Sequence, residues 1–213
     1  MICYAAHTAG STNRSTLWRC GWGLLGSAAY RWTDPDWRAR DREGLGWALD
    51  NGAWSAFKAG TPFDGDAFKR AVAEAGRLDF VVVPDVVMDA DGTRKMMDLW
   101  LSWTLENADA RHVLLPVQNG MEEDALPLEE RVGVFVGGDD QWKERTVHHW
   151  RRRTDEMGAY CHVGRVNTAR RLDLCAFYEV DSIDGSGASR FSVHAEKMER
   201  WRSEAAMRGR LFS

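Results

Sequence analysis

The stretch FVVVPD, which runs from Phe80 to Asp85, carries the pattern that decides the fold. One aromatic and three β-branched residues follow one another without a polar residue, as expected for a strand buried on both faces of a parallel sheet. Proline ends the run because it cannot donate a hydrogen bond to a sheet, and a carboxylate follows at once. The stretch therefore predicts a buried strand that delivers Asp85 to the carboxyl end of a sheet.

Similar short apolar runs recur along the chain and alternate with longer amphipathic stretches, which is typical of repeated βα units. Eight strands indicate an α/β fold, and we predict a compact (β/α)8 TIM-barrel-like single domain over residues 1–213. An open doubly wound sheet is the alternative, and the absence of a GxGxxG turn after any early strand weakens it. The predicted strands are Ile2–Ala6, Gly23–Ala28, Gly46–Leu49, Phe80–Pro84, His112–Val117, Val132–Val136, Tyr160–Val163 and Glu179–Ile183.

The amphipathic stretches between these runs are the predicted helices, and several begin after an Asp, Asn or Thr that can cap them. They are Thr16–Cys20, Asp66–Ala75, Gly92–Glu106, Asp140–Met157, Thr168–Tyr178 and Val193–Met207. The segment Tyr30–Gly44, rich in Trp and charged residues, is predicted to be a long loop.

Composition limits the class of protein. The 213 residues are 44% hydrophobic and 28% charged, as in an ordinary globular chain. No apolar run reaches the roughly 18 to 20 residues that span a bilayer, and the N-terminus lacks a basic start, so we expect a soluble, cytoplasmic protein without a membrane partner. The four cysteines are scattered without a CxxC or CxC pair, so we expect neither a zinc cluster nor a disulfide framework. No metal site and no cofactor are predicted.

Charge is unevenly distributed along the chain. The net charge is −4, but residues 1–142 carry −8 and residues 143–213 carry +4. A protein that coats nucleic acid without selectivity is therefore excluded, whereas a local basic face near the C-terminus is compatible with the sequence. The alternative is a solvated helix surface.

Polar residues and glycines follow most of the predicted strands, and in a barrel the carboxyl ends of the strands form the active-site face. Each group alone has a structural explanation as a turn, but their convergence predicts a site that can bind a planar polar ligand and perform acid, base or nucleophilic chemistry. The groups are Asp50-Asn51-Gly52, Pro84-Asp85, Gln118-Asn119-Gly120, Gly137-Gly138-Asp139, His162 to Asn167 and Asp181 to Gly185.

The last of these groups contains two aspartates with different predicted roles. In Val180-Asp181-Ser182-Ile183-Asp184, strand alternation sends Ile183 to the face opposite Ser182 and Asp184. Asp184 is predicted to point inward at the barrel mouth, and Asp181 is predicted to face the helix layer and make a structural hydrogen bond.

The ordered set VPDVV (83–87), PVQNGM (116–121), FVGG (135–138), HVGRVN (162–167) and DSIDG (181–185) resembles the guanine transglycosylase superfamily. It is most similar to the compact, DpdA-like branch that places deazapurines in DNA, a relative of queuine and archaeosine tRNA-ribosyltransferases. The resemblance covers residues from about Asp50 to Gly185. It implies a TIM barrel that exchanges guanine in a polynucleotide for a free 7-deazaguanine base.

The resemblance also implies roles for individual residues. Asp184 matches the family's nucleophile, and Asp50 matches an aspartate of base handling and proton transfer. Asp85 matches the carboxylate that pairs with the guanine N1 and N2 hydrogens, while Gln118 and the amide of Gly138 match the groups that meet its carbonyl. Gly52, Gly137 and Trp54 complete the predicted base-binding set. The residues predicted to hold the nucleic-acid backbone are Lys143, Arg165, Asn167, Arg170 and Arg171.

Two departures from the family pattern bear on whether the nucleic-acid partner is DNA or tRNA. Members that act on tRNA carry a cysteine-rich zinc site after the nucleophile, whereas the 29 residues after Asp184 contain no cysteine. The motif at Asp50 reads Asp-Asn-Gly-Ala where the family has Asp-Ser-Gly-Gly. We therefore expect no zinc subdomain, and DNA rather than tRNA as the nucleic-acid partner.

The predicted chemistry is breakage of the N-glycosidic bond through a covalent bond between Asp184 and C1′ of the sugar, with Asp50 moving a proton between the two bases. Three alternatives remain: exchange on tRNA, hydrolysis by a nucleosidase or glycosidase, and a nucleobase-binding module without turnover.

Overall fold

The computed structural model describes residues 1–6, 11–29, 46–187 and 192–212. Eight parallel strands form a closed barrel in which every strand pairs with its sequence neighbours and β1 pairs with β8. The predicted TIM-barrel fold is therefore confirmed. The strands are β1 (Ile2–Ala6), β2 (Gly23–Ser27), β3 (Trp47–Asp50), β4 (Leu78–Val82), β5 (Ala110–Val117), β6 (Val132–Val136), β7 (Cys161–Val163) and β8 (Ser182–Gly185).

Seven helices surround this barrel within the described part of the chain. Four of them begin with a side chain that accepts a hydrogen bond from the first turn, namely Asp64, Asp89, Asp139 and Thr168. Such caps satisfy backbone donors that have no partner inside a helix. The helices are α1 (Ser11–Arg19), α2 (Ala53–Ala59), α3 (Gly65–Ala75), α4 (Ala90–Asn107), α5 (Asp140–Glu156), α6 (Ala169–Phe177) and α7 (Ser192–Phe212).

All eight predicted strands are present, with bounds shifted by at most three residues. The helix α2 was not predicted, because it is only seven residues long and begins after Gly52, which has no side chain to cap it. Between β5 and β6 the described residues 118–131 form turns and no helix. The predicted loop Tyr30–Gly44 lies outside the described residues.

The hydrophobic core has two layers, one on each side of the barrel wall. The larger layer lies between strands and helices. The smaller fills the barrel interior and consists of Tyr4, Leu25, Ala48, Phe80, Val82 and Leu114, with Phe135 and Tyr160 packed against it. Large aromatic side chains thus occupy much of the barrel interior.

Glycines in the barrel wall make room for these rings. A Cβ atom on Gly23 would lie 2.6 Å from the Tyr4 ring, and one on Gly164 would lie 2.6 Å from the Phe135 ring. Both distances are far below van der Waals contact, so the interior packing depends on the missing side chains. Among the described residues, no helix has the length and apolar character needed to cross a membrane.

Candidate active site

The predicted site residues converge at the mouth formed by the carboxyl ends of the strands. Asp50 is the last residue of β3, and Asp184 is the third residue of β8. Asp85, Gln118 and Gly137 lie just beyond β4, β5 and β6. Barrel closure therefore brings together residues that are more than 130 positions apart in sequence.

The carboxyl group of Asp184 is held at both oxygens. Its Oδ1 accepts a hydrogen bond from the backbone N–H of Arg165 at 3.1 Å, and its Oδ2 lies 3.0 Å from Nε2 of His162. The residue is 8% exposed, so little of the carboxylate faces solvent. Two fixed contacts orient the carboxylate without any ligand.

The two neighbouring aspartates of β8 differ as the strand period predicts. Ser182 and Asp184 both contact His162 inside the barrel, while Ile183 packs in the outer core. Asp181 instead accepts hydrogen bonds from Arg151 of α5 and from the backbone N–H of Cys161, each at 2.8 Å. The inward orientation of Asp184 and the structural role of Asp181 are both confirmed.

His162 also belongs to this site, although no functional role was predicted for it from the sequence. It is fully buried, its Nδ1 lies 2.7 Å from Oγ of Ser182, and its ring stacks on Phe135 with centroids 4.9 Å apart. The register pairs His162 with Ser182 across β7 and β8. The alternation of side chains along a strand could have identified His162 from the sequence, because it directs His162 of β7 into the barrel interior, as it does Asp184 of β8.

Asp50 faces the mouth with a raised pKa. Burial is the main cause and raises the pKa to about 7; the carboxylates of Asp85 and Asp184 add to it, while hydrogen bonds from Gly52 and Ser27 oppose it. The backbone N–H of Gly52 donates to Oδ2 of Asp50 at 3.1 Å. A carboxyl group with a pKa near neutrality can both give and take a proton.

Asp85 is a second carboxyl group of the same kind. Burial raises its pKa to about 6, against the effect of a hydrogen bond from Asn51, whose Nδ2 lies 2.9 Å from Oδ1. Asn51 is buried and also donates to the carbonyl of Val83 and accepts from the N–H of Ala53. Asn51 therefore fixes Asp85 relative to Asp50, a positioning role that its sequence motif did not reveal.

Gln118 lies at the mouth, but its amide nitrogen is directed into the loop after β4. It donates to the carbonyl of Val86 at 2.8 Å and contacts Oγ1 of Thr93 and the carbonyl of Asp89. Its donors therefore hold the loop that carries Asp85, and its predicted contact with a base carbonyl remains a prediction.

The backbone conformation and the lack of space for a side chain favour glycine at two positions of the mouth. Gly52 and Gly138 have φ values of +87° and +69°, which side chains disfavour. A Cβ on Gly138 would lie 2.6 Å from the Trp142 ring, and one on Gly52 would lie 2.9 Å from the Ala29 nitrogen. Gly137 donates its N–H to Val117 at 2.8 Å and so continues the contact of β5 with β6.

A cation–π contact links opposite sides of the mouth. The guanidinium carbon of Arg165, after β7, lies 4.3 Å from the ring centroid of Trp54, in the first turn after β3. Strands β3 and β7 are four positions apart in an eight-stranded barrel, so this contact spans the mouth. Arg165 also has a φ of +60°, and its backbone N–H holds Asp184.

Two of the residues predicted to bind phosphates have other roles. Lys143 is 2% exposed and donates to the carbonyl of Gly164 at 2.9 Å, so its ammonium group is directed at the backbone and not at solvent; its contact with a nucleic-acid backbone stays a prediction. Burial lowers its pKa, against the effects of Asp140 and Asp184. Arg171 is largely buried and paired with Asp140 and Glu144, which leaves it little capacity for a phosphate.

The other two predicted phosphate ligands beyond Arg165 lie at the surface. Arg170 has a side chain that is 82% exposed and forms an ion pair with Glu144 at 2.8 Å. Asn167 is exposed, and its Oδ1 accepts from the backbone N–H of Gly187 at 2.9 Å. Among the described residues, no group of three or more His, Cys, Asp and Glu side chains has an arrangement that would hold a metal ion.

Comparisons with known proteins assign no family to the chain. No family model matches it, and no curated protein matches its sequence. Among solved structures, the tryptophan synthase alpha chain from Legionella pneumophila subsp. pneumophila is similar over 96% of this chain and 90% of that one, with 12% identity and a TM-score of 0.47. The closed order of its strands makes the chain a (β/α)8 barrel, a fold that many enzymes with different chemistries share.

Proposed function

We propose that this protein is a base-exchange transglycosylase that replaces guanine in a nucleic acid, DNA in preference to tRNA, by a 7-deazaguanine. The observation that carries the proposal is the pairing at the barrel mouth of one firmly oriented carboxylate, Asp184, with two carboxyl groups of raised pKa, Asp50 and Asp85. The sequence resemblance assigns the same three positions to the nucleophile, the proton carrier and the base ligand.

The reaction requires two displacements at C1′ of the sugar. An oxygen of Asp184 forms a bond to C1′ as the bond from C1′ to guanine breaks, and the electron pair leaves with the base, which takes a proton from Asp50. The incoming deazaguanine then loses its N9 proton to Asp50 and attacks C1′, which releases Asp184. Two inversions retain the configuration of the sugar, and Asp50 returns to its protonated state.

Access to the base requires that it leave the stack, which costs a few kcal/mol in a duplex. Asp85 could accept the N1 and N2 hydrogens of guanine, since Asn51 leaves its other oxygen for a ligand. Trp54 offers a face for stacking once its contact with Arg165 opens.

The test is an exchange assay with labelled guanine offered in parallel to duplex DNA, single-stranded DNA and tRNA. We expect incorporation into DNA, reduced about a thousandfold or more in Asp184→Asn, which keeps an acceptor for the N–H of Arg165 but cannot form the ester. The matched control is Asp98→Asn on the exposed face of α4, which should exchange at the parent rate. Exchange by Asp184→Asn at the parent rate would sink the proposal.

A covalent intermediate gives a second, independent readout. The parent protein should form an adduct with its nucleic acid that survives a denaturing gel, and Asp184→Ala should form none. If labelled guanine were incorporated into tRNA but not into DNA, the proposed reaction would be base exchange on tRNA.

Hydrolysis is the second candidate, and the contact of Arg165 with Trp54 favours it. A bridge across the mouth obstructs a polymer more than it obstructs a free nucleoside, and the same carboxyl groups could activate water. Product analysis distinguishes the two reactions, because hydrolysis leaves a sugar without a base whereas exchange leaves the polymer intact.

A further inference from the structure

Helix α5 carries a buried lysine in its first turn, a position that disfavours a lysine for two reasons. The amide groups at the start of a helix carry a partial positive charge, which repels a cation. An ammonium group taken out of water also loses its hydration, which costs free energy unless the group is paired and hydrogen-bonded. Lys143 is nevertheless only 2% exposed and lies three residues after Asp140, the first residue of α5. The contacts of its ammonium group indicate what it does there.

Lys143 holds one peptide group of the loop after β7. Its Nζ donates to the carbonyl of Gly164 at 2.9 Å and pairs with Oδ1 of Asp140 at 3.3 Å. This carbonyl belongs to the peptide group that joins Gly164 to Arg165. The N–H of the same peptide group donates to Oδ1 of Asp184 at 3.1 Å. Because a trans peptide group is planar and directs its C=O and N–H to opposite sides, one rigid unit connects Lys143 to Asp184.

The backbone on either side of this peptide group is anchored to two strands. The N–H of Gly164 donates to the carbonyl of Val136 in β6 at 3.0 Å, and the N–H of Val166 donates to the backbone carbonyl of Asp184 at 2.6 Å. Between these anchors Arg165 has a φ of +60°, in the left-handed region that residues other than glycine rarely adopt. This turn directs the N–H of Arg165 at a side chain and not at a neighbouring strand.

Gly164 lets the peptide group approach the carboxylate. A Cβ atom on Gly164 would lie 2.6 Å from the Phe135 ring and 3.4 Å from Oδ2 of Asp184, so a side chain has no space here. Oδ2 is the oxygen that contacts His162. One oxygen of Asp184 is therefore held by a side chain of β7, and the other by the peptide group that Lys143 holds.

We propose that Lys143 is a positioning residue for Asp184 and acts on it through the peptide group between Gly164 and Arg165. By donating to the carbonyl, Lys143 fixes the plane of this peptide group and hence the direction of its N–H. A hydrogen bond to the carbonyl also polarises the amide and strengthens the bond that its N–H donates. The connection is a property of the fold and does not depend on any reaction.

The effect on catalysis rests on the proposed function. The N–H of Arg165 would keep the carboxylate of Asp184 aligned with C1′ while the bond to the sugar forms. In the second displacement the bond between that oxygen and C1′ breaks, and its electron pair returns to Asp184. A fixed donor beside the carboxylate stabilises this negative charge as it develops.

Hydrogen exchange of backbone amides, followed by nuclear magnetic resonance, tests the connection without reference to a reaction. Lys143→Met keeps an unbranched side chain of similar length and removes the donor. We expect the amide of Arg165 to exchange about tenfold faster, or more, in this variant. The amides of Gly164 and Val166 donate to backbone carbonyls and should keep their rates.

The matched control is Arg145→Met, which removes a cation from an exposed position of the same helix and should leave all three rates unchanged. If the Arg165 amide kept its rate in Lys143→Met, its bond to Asp184 would not need Lys143. If all three amides exchanged faster to the same extent, Lys143 would only stabilise the loop. Either result would overturn the proposal.

The parent protein provides a measurement that does not require a variant to fold. The Nζ protons of Lys143 are buried and bonded to a carbonyl, so they should exchange with water slowly enough to give a signal. In protein labelled with ¹⁵N and ¹³C we expect a coupling through the hydrogen bond between this Nζ and the carbonyl carbon of Gly164. Rapid exchange of these protons and no coupling would overturn the proposal.

The base-exchange assay measures the consequence for catalysis. Lys143→Met should lower kcat about tenfold or more and change KM by less than about twofold, because the lysine contacts the peptide group and not the substrate. Lys143→Arg, which keeps a donor, should recover part of kcat. A loss confined to KM would assign Lys143 to binding of the nucleic acid and overturn the positioning role. If the Arg165 amide responded but the parent exchanged no base, the proposed function would fail and the connection would stand.

Discussion

Individual carboxyl groups at the mouth reduce the stability of the fold, and Asp50 is the clearest case. Its pKa rises from 3.8 to about 7 on folding, chiefly through burial. Between these values the folded state holds a proton that the unfolded state has lost, so stability falls as pH rises through that window and the full penalty is present above pH 7. The shift sets an upper limit of about 4 kcal/mol, and partial exposure at the mouth reduces this to about 1–2 kcal/mol.

Asp50→Asn should therefore stabilise the protein, by little near pH 4 and by about 1–2 kcal/mol at pH 8. Urea denaturation at both pH values measures the difference. The control is Asp98→Asn, at an exposed position of α4, which should change stability by less than about 0.5 kcal/mol at either pH. An Asp50→Asn protein that is no more stable than the parent at pH 8 would show that the carboxyl group is well solvated.

For individual residues, the sequence predicted which way a side chain points better than it predicted which groups surround that side chain. The inward orientation of Asp184 followed from the two-residue period of a strand, which is a local property. The burial of Lys143 could not be predicted, because it depends on the loop after β7 lying above α5, a contact between residues 21 positions apart. The contacts of His162 with Ser182 and of Asn51 with Asp85 could not be predicted for the same reason, because they join residues that are distant in sequence.

At the scale of elements, helix α5 is fixed at the mouth by Asp139. Its Oδ1 accepts from the N–H of Trp142 at 2.8 Å, and its Oδ2 accepts from Asn119 at 2.6 Å, so one carboxylate caps α5 and ties it to the loop after β5. Asp139→Ala should destabilise the protein by about 1–2 kcal/mol, the usual effect of losing a helix cap. Urea denaturation at pH 7 measures the loss.

Asp139→Asn is the matched variant, since an amide oxygen can still cap the helix. It should lose less than Asp139→Ala. The hydrogen bonds from Trp142 and Asn119 lower the pKa of Asp139, so the deficit of the Ala variant should shrink as pH falls below the ordinary aspartate range. Equal stability of all three proteins would mean that α5 is held by its packing alone.

Elements were the most predictable level of this molecule. The eight strands were visible because a parallel barrel buries both faces of each strand and so selects uninterrupted β-branched runs such as Val81-Val82-Val83. Helix α2 was not predicted, because its seven residues follow Gly52, which has no side chain to cap them, and are too few to show a helical period.

For the whole molecule, closure of the barrel depends on positions where strands approach too closely for a side chain. At Gly133 in β6 a Cβ atom would lie 2.2 Å from the carbonyl oxygen of Tyr160 and 2.9 Å from Leu114. The first of these atoms is backbone, directly before β7, so a methyl group there must push two neighbouring strands apart. Gly133→Ala should consequently cost more than about 3 kcal/mol or prevent folding.

Gly158→Ala separates this steric effect from the effect of losing a glycine. Gly158 has a φ of +62°, but a Cβ atom there would meet no described residue within 4 Å other than its chain neighbours. Its substitution should cost only about 1 kcal/mol, the strain of a left-handed backbone. Thermal unfolding followed by circular dichroism compares the two variants with the parent. If the melting temperature of Gly133→Ala were no lower than that of Gly158→Ala, strand β6 would be able to move and accommodate the methyl group. The aromatic packing around Tyr160 would then not depend on tight strand spacing.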